Sequence, residues 1–227
     1  MSDDSDSSLH PVQQTYTNRQ LDAIAARWDA RARTWDHDLE DPVCHLNEDD
    51  AYPRFLRDVR LILQDRRDFC AREGVIDAGC GTGLVLAQVV SAFAWGIGLD
   101  ISPEMIRAAE AKHIDRAGFL VGDCFNLSAL CPPAGAVLSR SVLLSHYGPG
   151  HGATLLVAAK AALVKGGFAI FDFLNEAGRA AHAHAPEHKT YYRREAICSL
   201  AQSAGFSKVT VAGEEHRRVL ALVAERE

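Results

Sequence analysis

The chain has 227 residues, 48% of them hydrophobic, and a net charge of −6. This length fits one α/β domain with an N-terminal extension. Basic residues are interspersed with acids rather than gathered in a stripe, which argues against a nucleic-acid substrate. No apolar run is long enough to cross a membrane, and the polar N-terminus is not a secretory signal, so we expect a cytoplasmic protein without membrane contact. The six cysteines show no metal spacing, so we expect reduced thiols and no metal.

The first third of the chain reads as an extension that precedes the sheet. Residues 1–15 are rich in Ser and Asp and predict a disordered tail. Apolar residues at helical spacing predict one helix over 17–36 and a second over 52–70, within a helical cap that spans residues 16–72. Strands alternate with helices over residues 73–227, which predicts a parallel sheet covered by helices on both faces.

A glycine-rich turn follows the first predicted strand. Glycines at 79, 81 and 83 allow positive φ and the close approach of a ligand, and the next helix points its amides at the same spot. A dinucleotide-binding turn would have its third glycine at position 84, where Leu stands. Asp77, two residues before the first glycine, would repel a pyrophosphate but suits a cation. A nicotinamide oxidoreductase is therefore disfavoured.

The run from Asp77 to Gly83 resembles the first motif, D-x-G-x-G-x-G, of class I S-adenosylmethionine (SAM)-dependent methyltransferases. SAM carries an ammonium and a sulfonium, which explains the acid. The resemblance implies that Asp77 and the turn hold the amino-acid end of SAM. The turn residues assigned to the cofactor are Ala78, Gly79, Cys80, Gly81 and Gly83.

The second predicted strand ends at Asp100, about 20 residues beyond the glycines, where such folds place an acid on the ribose hydroxyls. Ser102 and Pro103 then suit the N-cap and first turn of a helix. The segment LDISPEMIRAAE resembles the next conserved segment of the same family. By that resemblance Asp100 takes the ribose, while Ile101 and Met105 flank the adenine.

Two further strand ends complete the expected cofactor site. Gly-Asp after the third strand resembles the family's acid near the adenine amino group, and the residues after the fourth strand belong to the same site. The residues assigned here are Asp123, Cys124, Phe125, Arg140 and Ser141. The segment Leu163–Asp172 resembles the turn into the fifth strand, although Lys165 replaces a usual proline and Ala136 a usual acid.

The C-terminal strands define the expected fold. Strands over 209–211 and 219–223, joined by a tight link, predict an antiparallel hairpin. The resemblance implies an α/β, doubly wound, mostly parallel seven-stranded sheet of order 3-2-1-4-5-7-6, with an antiparallel last strand and an N-terminal helical cap. It also implies a substrate lid over about 173–192.

Candidates for the methyl acceptor site lie after the fourth strand and in the cap. His146 and Tyr147 are the catalytic candidates and also substrate candidates; His146 either takes a proton, orients the acceptor or packs in the loop. Arg140 either binds an acceptor carboxylate or pairs with an acid at the strand end. RWDARARTWDHD resembles the family's cap helix, so Tyr16, Trp28 and Trp35 are expected to bind substrate. Either these rings form a cage for a cationic acceptor, or the two Trp residues only pack the helix onto the sheet.

The predicted lid supplies Asn175 and Tyr191 as further substrate candidates. Its His182, His184 and His188 have spacings compatible with metal ligation, but no Cys or Asp set accompanies them, so a solvated lid is favoured.

The resemblance implies a SAM-dependent methyltransferase that acts on a small molecule, most simply on N or O, by in-line displacement in a capped pocket. The alternative is a SAM-binding module without catalysis, acting as a sensor or partner subunit. A monomer or homodimer is expected, and the sequence does not identify the acceptor.

Overall fold

The computed structural model describes residues 14–40, 50–141, 143–181 and 189–227. The helices are α1 (Asn18–Asp29), α2 (Trp35–Glu40), α3 (Ala51–Asp65), α4 (Arg67–Cys70), α5 (Leu84–Val89), α6 (Pro103–Glu110), α7 (Leu127–Leu130), α8 (Pro149–Ala162) and α9 (Arg194–Ser203). The strands are β1 (Gly74–Ala78), β2 (Trp95–Asp100), β3 (Ala117–Val121), β4 (Ala134–Ser139), β5 (Leu163–Asn175), β6 (Tyr191–Tyr192), β7 (Lys208–Ala212) and β8 (Val219–Glu225).

The strands form one sheet in the order β3-β2-β1-β4-β5-β8-β7. All neighbours pair in parallel except β8, which is antiparallel to both β5 and β7. The predicted order and the antiparallel hairpin are therefore confirmed. The difference is β6, which pairs with the end of β5 outside this path. A strand of only two residues is too short to show the alternation of apolar and polar residues that predicts a strand from sequence.

The central strands are buried on both faces, as parallel strands under helices must be. On one face Ile76 and Phe171 pack in a cluster with Leu155 of α8. On the other face Val75 packs in a cluster with Val59 of α3. These two apolar layers hold the strand ends in place, and the loops after β1, β2 and β4 leave the sheet at the same edge.

The cap differs in detail from its prediction. The single helix expected over 17–36 is two helices, because the chain turns after Asp29 through hydrogen bonds from Arg31 N to Trp28 O (3.0 Å) and from Thr34 N to Arg31 O (3.2 Å). Helical spacing of apolar residues continues across such a turn, so the pattern alone does not reveal it. The second predicted helix is divided at Arg66.

Two predicted boundaries shift. Gln14 N hydrogen-bonds to Gly150 O (3.2 Å), so the N-terminal segment contacts α8 from that residue on; residues 1–13 of the predicted tail lie outside the described residues. Strand β5 continues to Asn175, so the start of the predicted lid belongs to the sheet. Within the described ranges, none of the helices has the length and hydropathy needed to cross a membrane.

Candidate functional site

A cavity of about 390 Å³ lies between the cap and the carboxyl ends of the strands. This is the position at which open α/β sheets bind ligands. Most of the residues predicted for the site meet there. The predicted residues that line the cavity are Tyr16, Trp28, Trp35, Asp77, Gly79, Cys80, Gly81, Asp100, Ile101, Met105, Asp123, Cys124, Arg140, Ser141, His146 and Tyr147.

Asp77 ends β1 as a buried carboxylate that is only 1% exposed. The backbone of Leu86 forms a hydrogen bond to this carboxylate. The Oδ2 atom of Asp77 has no hydrogen-bond partner within the part of the chain that the structure describes. Burial, and next the charge of Asp100, raise the pKa of Asp77 to about 7. Because a buried carboxylate without a counter-charge is costly, Asp77 is suited to receive a cation.

Asp100 ends β2 and organises the loops on either side of it. Its Oδ2 accepts from Gly81 N and its Oδ1 from Ser102 N, both at 2.9 Å. Burial raises the pKa of Asp100, and these backbone hydrogen bonds oppose the rise. Each carboxylate oxygen can accept more than one hydrogen bond, so Asp100 retains acceptor capacity toward the cavity that it lines.

Asp123 provides a third acid after β3. Its Oδ1 caps a short 3-10 turn by accepting from Phe125 N at 3.0 Å. Phe125 itself does not line the cavity; its ring lies 5.9 Å from Tyr16 and 5.3 Å from Tyr147 between ring centroids. Phe125 thus packs against Tyr147, which itself lines the cavity.

Two turn residues predicted to touch the cofactor also lie behind the cavity. Ala78 is fully buried as the last residue of β1. Gly83 is the N-cap of α5 with φ of +79°, and a Cβ there would lie 3.0 Å from the Phe119 ring. Both residues shape the turn, while Gly79, Cys80 and Gly81 face the ligand space.

Two aspartates of the cap dock it onto the sheet. Asp29 Oδ1 accepts from Ser102 Oγ (2.5 Å) and from Glu104 N (3.1 Å) at the start of α6. Asp36 accepts a hydrogen bond from Thr82 Oγ1 and forms an ion pair with Lys112 Nζ at 2.6 Å. Each acid follows one of the Trp residues predicted to bind substrate. In each of these pairs, Trp28-Asp29 and Trp35-Asp36, the indole ring lines the cavity and the neighbouring carboxylate binds the cap to the rest of the domain.

The aromatic wall of the cavity joins the cap to the loop after β4. The Trp28 ring is edge-on to Trp35 (5.6 Å between centroids) and stacks on His146 (5.4 Å). Tyr16 stacks on His151 at 4.0 Å and lies 5.5 Å from Tyr147. These planar side chains enclose space for a ligand with an apolar body.

His146 Nε2 lies 3.1 Å from the backbone oxygen of Ser141. A carbonyl oxygen only accepts, so Nε2 carries the proton and Nδ1 is the atom of the neutral ring that can take one. Ser141 is held at φ of +77° with its N–H donated to Asp172 Oδ2 (3.0 Å). For a residue other than glycine this conformation is strained, which is characteristic of functional loops.

Tyr147 does not fit a role as a base. Burial raises the pKa of its hydroxyl far above the ordinary value, and the neighbouring Cys124 adds to the effect. Tyr147 therefore stays protonated at neutral pH. Among the predicted catalytic residues, His146 is the one whose chemistry allows proton transfer at that pH.

Tyr52, at the start of α3, is a cavity residue that the sequence analysis missed. The Arg140 guanidinium lies 4.5 Å above its ring centroid and donates from Nη1 to Ser141 Oγ at 3.1 Å. Arg140 is 8% exposed, so its charge is presented to the cavity from a buried position. In the sequence Tyr52 only begins the predicted helix over 52–70, and no local pattern marks it as a cavity residue.

The two lid candidates, Asn175 and Tyr191, do not line this cavity. Asn175 is fully buried and its Nδ2 donates to Glu215 O (2.7 Å) and Arg217 O (2.9 Å), so it ties β5 to the loop before β8. Tyr191 packs with Leu174 and Val219 at β6. Both residues stabilise the end of the sheet.

The three histidines of the predicted lid whose spacing is compatible with metal ligation, His182, His184 and His188, lie outside the described residues. Over the ranges that the structure does cover, no three His, Cys, Asp or Glu side chains cluster in a manner that could hold a metal ion.

Comparison with known proteins bears on this arrangement. Residues 75–167 match a family model described as a methyltransferase domain. This segment is therefore similar to methyltransferase domains. The match runs from β1 into the first residues of β5. It therefore includes the glycine turn and the acids Asp77, Asp100 and Asp123. Comparison with curated protein sequences gives no significant match.

Solved structures of low sequence identity share the fold. Magnesium protoporphyrin IX methyltransferase (ChlM) from Synechocystis PCC 6803, with bound SAM, is 18% identical with a TM-score of 0.71, over 94% of this chain and 100% of that chain. A DhpI-SAM-HEP complex is 19% identical with a TM-score of 0.69, over 92% and 99%. A putative methyltransferase of Haloferax volcanii, in complex with the Trm112 methyltransferase activator, is 20% identical with a TM-score of 0.64, over 87% and 96%.

Proposed function

We propose that this protein binds SAM in the capped cavity and transfers its methyl group to a small-molecule acceptor, at N or O. The observation that carries the proposal is the buried carboxylate of Asp77: this residue lines the cavity, and its Oδ2 has no hydrogen-bond partner in the described part of the chain. An ammonium group would supply the missing counter-charge. Structural relatives solved with SAM bound support the same choice of ligand.

The residues fit this cofactor from end to end. Asp77 would take the ammonium, and the buried guanidinium of Arg140 beside Tyr52 would take the carboxylate of the same amino-acid group. Asp100 retains acceptor positions for the ribose hydroxyls, and Asp123 lies one strand further along for the adenine. Met105, buried at the start of α6, supplies an apolar surface for the ring.

When bound, SAM supplies an electrophilic methyl group on a sulfonium. The protein's task is to hold the acceptor in line with that group and to exclude water, which the docked cap accomplishes through Trp28 and Trp35. If the acceptor carries a proton on its attacking atom, His146 Nδ1 takes it, because its Nε2–H is directed to Ser141 O.

A SAM-binding module without catalysis is the competing function, and it predicts the same cofactor contacts. A placed histidine with a fixed tautomer favours the enzyme, since cofactor binding alone does not require it. A nicotinamide cofactor is disfavoured because the buried acids would oppose its pyrophosphate.

The test is calorimetric titration of the purified full chain with S-adenosylhomocysteine (SAH). We expect micromolar affinity that is lost in Asp100→Ala and retained in Asp115→Ala, a control acid whose side chain is 95% exposed. Absence of binding to the wild type would refute the proposal. Methyl transfer to a screened acceptor, detected as SAH formed only when the acceptor is present, separates the enzyme from the binding module.

A further inference from the structure

The short strand β6 lies against the loop that carries His146. Residues 143–147 of that loop, which consist of the 3-10 turn Leu143–His146 and Tyr147, are called the histidine loop below. As a member of the sheet, β6 contributes little, because it pairs only with Leu174 and Asn175 at the end of β5. Its contacts with the histidine loop suggest a second role.

Thr190, the residue before β6, makes two hydrogen bonds to the histidine loop. Its N–H donates to Ser145 O at 2.9 Å, and its Oγ1 donates to Tyr147 O at 2.7 Å. These two carbonyl groups belong to the residues on either side of His146. A single residue therefore fixes the backbone both before and after the histidine.

Tyr192 holds the same loop two residues before His146. Its hydroxyl donates to Leu144 O at 3.3 Å, and Leu174 N of β5 donates to Ser145 Oγ at 2.8 Å. Leu144 and Ser145 are fully buried, so their carbonyl groups need hydrogen-bond donors from the protein. Thr190 and Tyr192 supply those donors.

One alternative is that these hydrogen bonds serve only to hold β6 in place. However, β6 has anchors of its own, since it pairs in parallel with β5 and Tyr192 O accepts from Glu176 N at 3.0 Å. The histidine loop instead follows Ser141, whose φ of +77° is strained for a residue other than glycine. Such a conformation persists only where surrounding contacts impose it. The hydrogen bonds from Thr190 and Tyr192 are contacts of this kind.

The orientation of the imidazole depends on the same loop. His146 Nε2 lies 3.1 Å from Ser141 O, and this contact selects the tautomer of the neutral ring. The distance between the two residues is set by the backbone of the histidine loop. If Tyr147 O or Leu144 O were released, the loop would be able to turn, and the Nε2–H group would lose its acceptor.

We propose that Thr190 is a positioning residue for His146, with Tyr192 in support, and that their hydrogen bonds keep the neutral imidazole as the Nε2–H tautomer. Neither Thr190 nor Tyr192 lines the cavity, so both act through the histidine and not on a ligand. This inference rests on the proposed function, because it concerns the base of the same site. It gives β6 a part in the chemistry as well as in the sheet.

The test is proton–nitrogen NMR of the full chain with isotope-labelled histidine, in which His146→Gln identifies the signals of His146. Thr190→Val removes the hydroxyl at nearly equal volume, and Thr190→Ser keeps it. Tyr192→Phe removes the other side-chain hydrogen bond and leaves the ring in place. Thr210→Val, exposed on β7, is the matched control. Spectra are recorded at about pH 8, where an ordinary imidazole is neutral, without SAH and with saturating SAH.

We expect the Nε2–H tautomer in the wild type, in Thr190→Ser and in Thr210→Val. In Thr190→Val the fraction of the Nδ1–H tautomer should rise about fivefold, as follows from the loss of one ordinary hydrogen bond. It should also rise in Tyr192→Phe. The affinity for SAH, measured by calorimetry, should stay within about twofold of wild type in every variant, because a positioning residue for His146 does not contact the cofactor.

Three results would overturn the inference: a wild type in the Nδ1–H tautomer, a Thr190→Val spectrum like that of wild type, or the same change in Thr190→Ser as in Thr190→Val. If Thr190→Val does not fold, the spectrum of Tyr192→Phe decides in the same way. Loss of SAH affinity in Thr190→Val would also overturn the inference, by assigning Thr190 to the support of the cofactor site. Failure of the wild type to bind SAH refutes the proposed function instead, since the tautomer is measured without SAH as well.

Discussion

The indole Nε1 of Trp35 lies 3.3 Å from the position that a Cβ would occupy on Gly81. The cap thus touches the glycine turn at a residue that also binds Asp100 through its N–H and takes φ of +54°. One glycine serves the turn, the acid and the cap together. Any side chain at this position disturbs all three.

Gly81→Ala should therefore weaken SAH binding by about tenfold or more and lower the free energy of unfolding by about 1–2 kcal/mol, the cost of forcing a Cβ into positive φ. Gly118→Ala in β3 is the matched control, since a Cβ there meets nothing within 4 Å. Calorimetry and urea denaturation measure the two effects. Wild-type affinity in Gly81→Ala would mean that the turn does not contact the cofactor.

The clamp formed by Asp36 should control how fast the cofactor leaves. Asp36→Asn removes the ion pair with Lys112 and weakens the hydrogen bond from Thr82, so we expect SAH to dissociate about tenfold faster. Stopped-flow Trp fluorescence measures the rate. Asp22→Asn, an exposed position on α1, should leave it unchanged. Equal rates in both variants would contradict a clamping role for the cap.

We expect the buried carboxylate of Asp77 to lower the stability of the fold at high pH while it strengthens the binding of SAH. Its pKa of about 7 in the folded chain lies above the unfolded value of about 3.9. The folded state therefore binds more protons between these values, and the contribution of Asp77 to stability falls as pH rises from about 4 to about 7. Asp77→Asn removes the buried charge, so the SAH-free variant should melt at a higher temperature than wild type at pH 8.

The same Asp77→Asn variant should bind SAH at least tenfold more weakly, because the ammonium loses its counter-charge. Thermal denaturation at pH 5 and pH 8, with and without SAH, tests both parts. Retained affinity, or a melting temperature that changes with pH as in wild type, would show that Asp77 is not the ammonium site.

Removal of the imidazole should separate catalysis from binding. In His146→Gln we expect the transfer rate to an O–H or N–H acceptor to fall by about 10²–10⁴-fold, the usual contribution of a positioned base, with SAH affinity unchanged within about twofold. Single-turnover kinetics over a pH series measures the loss. Tyr147→Phe is the companion variant, and its pH profile should match that of wild type because the hydroxyl stays neutral.

The acids predicted for the cofactor all line the same cavity, and each of them lies in a short local pattern of the sequence. Asp77, Asp100 and Asp123 each end a strand of recognisable apolar residues, so both the strand and the acid can be read together. The strand order followed from the resemblance and from the tight link of the C-terminal hairpin, which permits only antiparallel pairing.

The acceptor half was harder, because its contacts join residues far apart in the chain. The Tyr52 ring meets Arg140 across 88 positions, and no local pattern connects them. Asn175 and Tyr191 do not line the cavity, and a polar or aromatic residue near a strand end looks the same in sequence whether it faces a ligand or a neighbouring loop.

Strand β8 follows β7 in the sequence, yet it occupies an interior position of the sheet between β5 and β7. During synthesis β5 thus leaves the ribosome with an unpaired edge, and it keeps that edge until Val219–Glu225 has emerged. An open apolar edge is prone to pair with other chains. Deletion of Val219–Glu225 should therefore yield insoluble protein.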